Sequence, residues 1–259
     1  MLAGSDTGYE GKFDFPRWAG PPRLTYLVAT LPRTGSTWFT HLLWETGCLG
    51  APLEYLNFEP FGPYYFAARS TPAQQSLWHS VLARRTSPNG TFGLKCFPTQ
   101  LESLRQANPQ LLSEVMSMFV TNVPEPRVVY LERTDRTAHA ISYARATLSG
   151  VWRTEQEGEE ETAVAYSETA IRQAHEGINL QIAAWEQMFS DLRIRPLRLS
   201  YETIVSDPGS ALLRVGQFLG VELNPNARIV IPSVYKQADN DAKAWAERFE
   251  SRDRSKPQV

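Results

Sequence analysis

The sequence predicts an α/β fold of three layers, in which helices flank a central parallel sheet in a P-loop-like arrangement. Two observations predict this class. Short, almost continuous apolar runs recur along the chain, and a stretch with helical spacing follows most of them. Alternating strands and helices are typical of a parallel sheet that is covered on both faces. The first strand and helix are joined by a short glycine-containing loop, as in many nucleotide-binding folds.

Four apolar runs have the length and composition of buried strands. They are residues 24–30, 91–97, 127–131 and 194–199. The last run contains Pro196, which has no backbone N–H to donate. We therefore expect that strand at an edge of the sheet.

Helices are predicted after these strands, from the spacing of apolar residues and from residues that begin or end helices. They are residues 37–47, 98 to about 107, 134–148, 162–190, and a helix from Asp207-Pro208 to about Gly220. Asp207 and Pro208 have the types favoured at an N-cap and in the first turn. The glutamate-rich stretch at 155–161 interrupts the pattern and is predicted as a solvated loop.

Composition excludes several classes of protein. With 42% hydrophobic and 21% charged residues, the chain is ordinary for a globular protein and not for a disordered one. A formal charge of −2 argues against a protein that binds nucleic acid by bulk neutralisation of phosphates. The two cysteines cannot form a disulfide framework. The sequence shows no signal peptide and no apolar run of roughly 18–20 residues, so we expect a cytoplasmic protein without a membrane span.

The 259 residues suffice for one large domain. Residues 1–23 are rich in glycine, proline and polar residues, and are predicted as an extended lead-in. Residues 24–259 contain no internal repeat and no convincing linker, and are predicted as a single domain.

The loop after the first strand is a candidate anion site. Gly35, Ser36 and Thr37 lie where backbone N–H groups and the positive end of a helix dipole converge, which favours phosphate or sulfate. Arg33 adds a positive charge, and the hydroxyl of Thr34 adds a further donor. Alternatively, Ser36 or Thr37 simply caps the helix.

The loop does not match the Walker A motif. No lysine precedes Ser36, and the earlier glycine of that motif is missing. Glu132, at the end of the third predicted strand, has the position of a Walker B acid, but many strands end in an acid. A magnesium-dependent kinase of the P-loop type is therefore disfavoured and remains an alternative.

Residues 32–38, PRTGSTW, resemble the phosphosulfate loop of sulfotransferases that use 3′-phosphoadenosine 5′-phosphosulfate (PAPS). That loop has the form P-(K/R)-(S/T)-G-(S/T)-(S/T)-W. A second element strengthens the resemblance, since Arg133 follows the third strand and Ser142 lies nine residues further on. The chain is most similar to the bacterial trehalose-sulfotransferase-like family, over roughly residues 25–250. Further matching strings are GAPLEY at 50–55, FGLK at 92–95, TLSGVWR at 147–153, Tyr201-Glu202 and KQAD at 236–239.

The resemblance implies a sulfotransferase fold, PAPS as the sulfate donor, and a homodimer. It implies that two sets of residues bind the donor. The loop residues are Arg33, Thr34, Gly35, Ser36, Thr37 and Trp38; the residues for the 3′-phosphate are Arg133 and Ser142. Lys236 and Gln237 are expected to close over the cofactor. A surface ion pair between Arg133 and Asp135 is the alternative for that arginine.

The transferred sulfuryl group carries less negative charge than a phosphoryl group, so we expect cationic side chains and N–H groups to act without a metal. Arg33 and the loop N–H groups would compensate charge on the bridging oxygen. An attacking hydroxyl also needs a general base. Glu54 occupies the position of the carboxylate base in the similar family. A surface carboxylate is the alternative for Glu54.

The cytosolic sulfotransferases instead use a histidine two residues after a lysine on the second strand. Here that position holds Phe97, after Lys95 and Cys96. The departure favours Glu54 as the base. Lys95 is expected to stabilise the leaving oxygen or to orient the acceptor, unless its ammonium group reaches solvent at the end of the strand.

The acceptor stays open between a disaccharide, another carbohydrate, a glycolipid and a secondary metabolite. Pro32 and Ala51 stand where the trehalose-specific pattern has a polar residue and an acid. An aromatic cluster either lines an acceptor pocket or packs in the core. It comprises Tyr55, Phe58, Phe61, Tyr64, Tyr65 and Phe66. A non-catalytic module that binds a nucleotide or an anion is the remaining alternative function.

Overall fold

The computed structural model describes residues 6–60, 62–152, 164–224, 228–234 and 240–254. Four strands lie in these ranges: β1 (Leu24–Ala29), β2 (Thr91–Cys96), β3 (Val128–Glu132) and β4 (Leu197–Ser200). They form one parallel sheet in the order β2-β1-β3-β4. The predicted mixed α/β class, with a central parallel sheet between helices, is confirmed. The fourth strand lies at an edge, as the proline at 196 predicts.

Nine α-helices occur in the described residues. They are α1 (Ser36–Glu45), α2 (Thr71–Arg85), α3 (Pro98–Ala107), α4 (Pro109–Met116), α5 (Arg136–Ser149), α6 (Glu168–Asp191), α7 (Tyr201–Ser206), α8 (Pro208–Leu219) and α9 (Asn240–Arg254). The sequence pattern does not predict α2, α4, α7 and α9. None of the helices in the described ranges is both long and apolar enough to cross a membrane.

The longest helix begins later than its apolar spacing suggests. Residues 164–167 are not helical, although the prediction starts the helix at 162. The hydroxyl of Ser167 accepts the N–H of Ala170 at 3.2 Å and so caps α6. A serine cap satisfies an otherwise unpaired amide of the first turn, which explains why the helix begins there.

The two faces of the sheet are buried in two separate cores, because successive side chains of a strand point to opposite sides. Leu27 and Ala29 of β1 belong to one core, together with Trp78 of α2 and Trp185 of α6. Tyr26 and Val28 belong to the other core, which also contains Phe39 and Leu43 of α1 and Val215 of α8. The sheet is therefore covered on both sides, which gives the three layers.

A segment that follows α1 is held against the outer side of β2. The N–H of Lys95 donates to the carbonyl of Leu53 at 3.1 Å, and Leu53 pairs with Leu94 in a parallel bridge. Gly50 starts this segment with a φ of 71°, and a Cβ there would lie 2.8 Å from the carbonyl oxygen of Thr91. Only glycine combines that left-handed backbone with so close an approach. The segment thereby carries Glu54 to the carboxyl end of β2.

We expect Gly50→Ala to lower the free energy of unfolding by at least about 1–2 kcal/mol, since a left-handed backbone alone costs that much for an alanine. Gly177→Ala, in α6, is the matched control because a Cβ there meets no atom of the described residues within 4 Å. The control should gain roughly 0.5–1 kcal/mol through helix propensity. Urea denaturation of the two variants measures both changes. Equal stability of the two variants would contradict this account of the segment.

Candidate active site at the carboxyl ends of the strands

The carboxyl ends of the parallel strands lie at one edge of the sheet, and the loop after β1 lies there. Thr34 is fully buried, and its hydroxyl donates to the carbonyl of Leu31 at 2.8 Å. It also lies 2.7 Å from the hydroxyl of Thr30, which donates to the carbonyl of Leu131 at 3.0 Å. These bonds fix the loop to β1 and β3. Arg33 has a φ of 67°, a conformation that is uncommon for residues other than glycine.

Helix α1 begins without a side-chain cap. Its N-cap residue is Gly35, with a φ of 73°, and no side chain of the described residues caps its first amides. Ser36 and Thr37 lie inside the first turn and do not cap the helix, so the alternative given above for them is wrong. Within the described part of the chain, six other helices have a side-chain cap; the capping residues are Ser70, Asn108, Asp135, Ser167, Ser200 and Asp207. The amide groups at the start of α1 are therefore available to an anion.

Arg133 follows β3 directly and lies half-buried at the same edge. Its guanidinium carbon lies 5.0 Å from the centre of the Tyr201 ring, in a cation–π contact. Its Nε atom is buried and has no hydrogen-bond partner among the described residues. The alternative ion pair with Asp135 is not formed, since Asp135 instead accepts the N–H of Ala138 at 2.8 Å and caps α5. A half-buried cation with an unsatisfied donor is suited to bind an anion.

The ring of Tyr201 connects Arg133 to the loop. A Cβ at position 35 would lie 2.5 Å from a carbon of this ring, so glycine allows the ring to lie against the loop backbone. Glu202 holds the turn after Arg133, because its carboxylate accepts the N–H groups of Thr134 and Asp135, each at 3.1 Å. Burial would raise the pKa of Glu202, but these donors outweigh it and lower the pKa to about 2.

The side chain of Arg33 points towards α5. Its Nε donates to the hydroxyl of Ser142 at 3.1 Å, and its Nη1 donates to the carbonyl of Trp152 at 2.8 Å. The two elements predicted to bind PAPS, which are the loop and the Arg133–Ser142 pair, are therefore in direct contact. Trp152 itself is partly exposed and packs edge-on against Tyr143.

His139 of α5 also holds the loop, which sequence analysis does not predict. Its Nε2 lies 2.8 Å from the carbonyl oxygen of Pro32 and donates to it. Its Nδ1 is buried without a partner among the described residues. Burial lowers the pKa of His139 to about 4, and the nearby cations of Arg133 and Arg136 act in the same direction. The neutral ring is thus the form that fits this position.

Glu54 and Lys95 form a buried ion pair beside the loop. Lys95 Nζ lies 2.8 Å from Glu54 Oε1, and the two side chains are 1% and 8% exposed. The same ammonium group donates to the hydroxyl of Thr37 at 3.1 Å. Lys95 therefore does not reach solvent, and Glu54 is not a surface carboxylate. The structure brings the candidate base, Lys95 and the first turn of α1 together.

The other carboxylate oxygen of Glu54 has donors that sequence analysis does not predict. Asn57 Nδ2 donates to Oε2 at 2.9 Å, and Gln100 Nε2 donates to it at 3.1 Å. The backbone N–H of Glu54 donates to the hydroxyl of Tyr9 at 3.2 Å. No sequence signal identifies these residues, because they come from three separate segments.

The remaining predicted residues fall into three groups. Trp38 is partly buried against the core of α1 and α8. Lys236, Gln237, Phe61 and the glutamate-rich stretch at 155–161 lie outside the described residues. In the aromatic cluster, Tyr55 and Tyr64 are buried in the core, whereas Tyr65 and Phe66 are exposed. The described part of the chain contains no group of three or more residues placed to hold a metal ion.

The pKa of His139 predicts a specific pH dependence of stability. Because its folded pKa, about 4, lies below the ordinary value of 6.5, the unfolded chain binds more protons between these values. Stability should therefore fall as pH falls through this range. Between about pH 7.5 and pH 5, the wild type should lose about 2 kcal/mol more than His139→Gln, whose amide can still donate to the loop. Urea denaturation at both pH values tests this, and parallel losses in the two proteins would contradict it.

Comparison with known proteins gives relatives over most of the chain. It is 25% identical over 256 residues to trehalose 2-sulfotransferase of Mycobacterium tuberculosis (strain Erdman), and 23% identical to that of Mycolicibacterium smegmatis. Each alignment covers 86% of this chain and 93% of the relative. A solved sulfotransferase domain from the curacin biosynthetic pathway aligns over 80% of this chain and 77% of that domain, at 18% identity and a TM-score of 0.46. The family model of the Stf0 sulphotransferases matches residues 25–252, so this chain belongs to the Stf0 sulphotransferase family and is a sulfotransferase.

Proposed function

We propose that this sulfotransferase transfers the sulfuryl group of PAPS to a hydroxyl group of a carbohydrate or small metabolite, with Glu54 as the general base. The observation that carries the proposal is the half-buried guanidinium of Arg133. It forms no ion pair with a described residue, and it lies at the same edge as the uncapped start of α1. PAPS has an anionic group at each end of its ribose, which suits two such neighbouring sites.

The first site is the loop with the start of α1. The N–H groups of residues 34–37, the positive end of the helix dipole and the hydroxyl of Ser36 would bind the 5′-phosphosulfate. Trp38 continues the helix behind them. PAPS supplies the sulfuryl group, and its transfer leaves 3′-phosphoadenosine 5′-phosphate (PAP) and a sulfate ester.

The second site lies between β3 and α5. Arg133 would bind the 3′-phosphate, for which its buried Nε is an available donor. Ser142 and Arg33 are hydrogen-bonded to each other and would supply the other donors. Arg33 thereby extends from the first site to the second. Lys236 and Gln237 are proposed to cover the donor.

Glu54 would take the proton of the acceptor hydroxyl as that oxygen attacks sulfur. The positive charge of Lys95, 2.8 Å away, stabilises the charged form of the carboxylate, which is the form that a general base needs. Lys95 also contacts Thr37, so it links the base to the loop at which negative charge develops on the leaving oxygen. The trehalose sulfotransferases of the two mycobacteria support a carbohydrate acceptor. Ala51 is fully buried in the core, so its lack of a polar group does not argue against a sugar.

Arg133→Ala should weaken PAP binding by about ten- to a hundredfold, since a hydrogen bond to a charged group contributes about 1.5–3 kcal/mol. Arg127→Ala is the matched control, because Arg127 directly precedes the opposite end of the same strand and pairs with Glu125. Isothermal titration calorimetry with PAP measures both. Equal affinity in the two variants would show that Arg133 does not bind the 3′-phosphate.

Glu54→Gln should keep PAP affinity within about threefold but lose at least about a hundredfold in turnover, because an amide cannot accept the proton. Glu59→Gln, at an exposed carboxylate hydrogen-bonded to Ser103, is the control and should retain wild-type turnover. Radiolabelled PAPS with a panel of hydroxyl acceptors that includes trehalose measures transfer.

Three results would count against this function. Near-normal turnover of Glu54→Gln would reject the base. PAP binding without transfer by the wild type to any acceptor would identify a non-catalytic nucleotide-binding module. Magnesium-dependent turnover of nucleoside triphosphate would identify a kinase.

A further inference from the structure

We infer that Tyr9 is a positioning residue for Glu54, so that the N-terminal segment completes the part of the active site that holds the proposed base. The N-terminal segment is defined here as residues 6–18. It precedes the part of the chain that the family model matches, which begins at residue 25. The inference rests on the proposed function, because it concerns the proposed base.

Tyr9 contacts the main chain of the base. Its phenol oxygen accepts the N–H of Glu54 at 3.2 Å. The carboxylate of the same residue is bound at Oε1 by Lys95, at 2.8 Å, and at Oε2 by Asn57 and Gln100. Glu54 is thus tethered at both ends, its backbone by the N-terminal segment and its carboxylate by residues of its own segment, β2 and α3. Such double tethering is what fixes a base within reach of its substrate.

A buried arginine holds the backbone on both sides of Tyr9. Arg85 of α2 is 2% exposed, and it donates to the carbonyls of Gly8 at 2.9 Å and Glu10 at 3.2 Å. Its Nε also pairs with Asp14 at 2.9 Å. All these acceptors belong to the N-terminal segment. Because a buried guanidinium without acceptors is strongly unfavourable, the segment is an integral part of the fold.

Further contacts fix the position of the Tyr9 ring. The ring packs edge-on against Tyr64, with the ring centres 5.4 Å apart. Gly8 has a φ of 88°, and a Cβ there would lie 3.2 Å from the ring of Trp44. The Glu10 carboxylate accepts the N–H groups of Thr7 and Gly8 at 3.0 and 2.8 Å. Burial would raise the pKa of Glu10, but these hydrogen bonds lower it on balance.

The lead-in predicted for residues 1–23 therefore contains a segment that is hydrogen-bonded to the rest of the fold. Phe15 and Trp18 donate their N–H groups to the carbonyls of Arg84 and Ala83, at the end of α2, at 2.9 and 2.8 Å. The segment is bound along its length, and Tyr9 is the residue through which it contacts the base. Removal of the phenol oxygen alone would leave the ring packing in place. It would also leave the Glu54 N–H, on a residue that is 6% exposed, without this acceptor.

The test is a cycle of Tyr9→Phe, Glu54→Gln and the double variant, with Tyr130→Phe as control. The hydroxyl of Tyr130 is buried in β3 and has no hydrogen-bond partner among the described residues. Transfer from radiolabelled PAPS to the acceptor panel gives kcat and KM. Calorimetry gives PAP affinity, and hydrogen–deuterium exchange follows the amides of residues 51–57.

Tyr9→Phe should lower kcat about tenfold, with PAP affinity and the KM for PAPS changed less than twofold. It should speed exchange of the 51–57 amides at least tenfold, whereas Tyr130→Phe should alter none of these quantities more than twofold. In the Glu54→Gln background, Tyr9→Phe should cause no further loss of turnover, because Tyr9 acts through Glu54. A general loss of packing would instead lower turnover equally in both backgrounds.

The outcomes separate this inference from the function on which it rests. If Tyr9→Phe shows the exchange and turnover of the wild type while Glu54→Gln turns over slowly, the role of Tyr9 is overturned and Glu54 stays the base. Full activity of Glu54→Gln would overturn the base and this inference together. If the wild type transfers no sulfuryl group, the proposed function fails, and the exchange of the 51–57 amides still decides whether Tyr9 holds the segment.

Discussion

The buried ion pair between Lys95 and Glu54 is the interaction on which the arrangement of the site depends. Two opposite charges withdrawn from water are stable only when they stay close and keep their hydrogen bonds. Here the ammonium and carboxylate groups are 2.8 Å apart, and Thr37, Asn57 and Gln100 provide further hydrogen bonds. The pair therefore fixes three separate parts of the chain relative to one another: the segment after α1, the end of β2 and the start of α1.

Positive charge is concentrated at the carboxyl ends of the strands, although the formal charge of the protein is −2. Arg133, Arg33 and the start of α1 all lie there, and the carboxylates nearby are already engaged. Glu202 accepts two backbone N–H groups, and Glu132 pairs with Arg136. Glu54 pairs with Lys95. This distribution leaves the cation of Arg133 and the helix amides for an anionic ligand, and it shows why net charge is a poor guide to a local site.

The sequence predicts those features of the fold that are determined locally. Each predicted strand overlaps an observed one, because apolar runs bounded by turn residues are a local pattern. The helix ends at Asp207 and Gly220 also depend on neighbouring residues alone. The sequence does not predict α2, which contains many polar residues. The buried residues of α2 are Gln74, Trp78, Val81 and Arg85. Two of these four are polar, so no apolar stripe indicates the helix.

The sequence by itself determined the main charged groups of the candidate site and their order along the chain, since the loop at 32–38, Glu54, Lys95 and Arg133 each belong to a short local pattern. Only the tertiary structure decided which of them touch. Arg33 meets Ser142 across 109 residues, and Glu54 meets Tyr9 across 45. Such contacts depend on how strands and helices pack, at a precision of a few tenths of an ångström. Local patterns carry no information at that scale, because the same motif can precede many different packings.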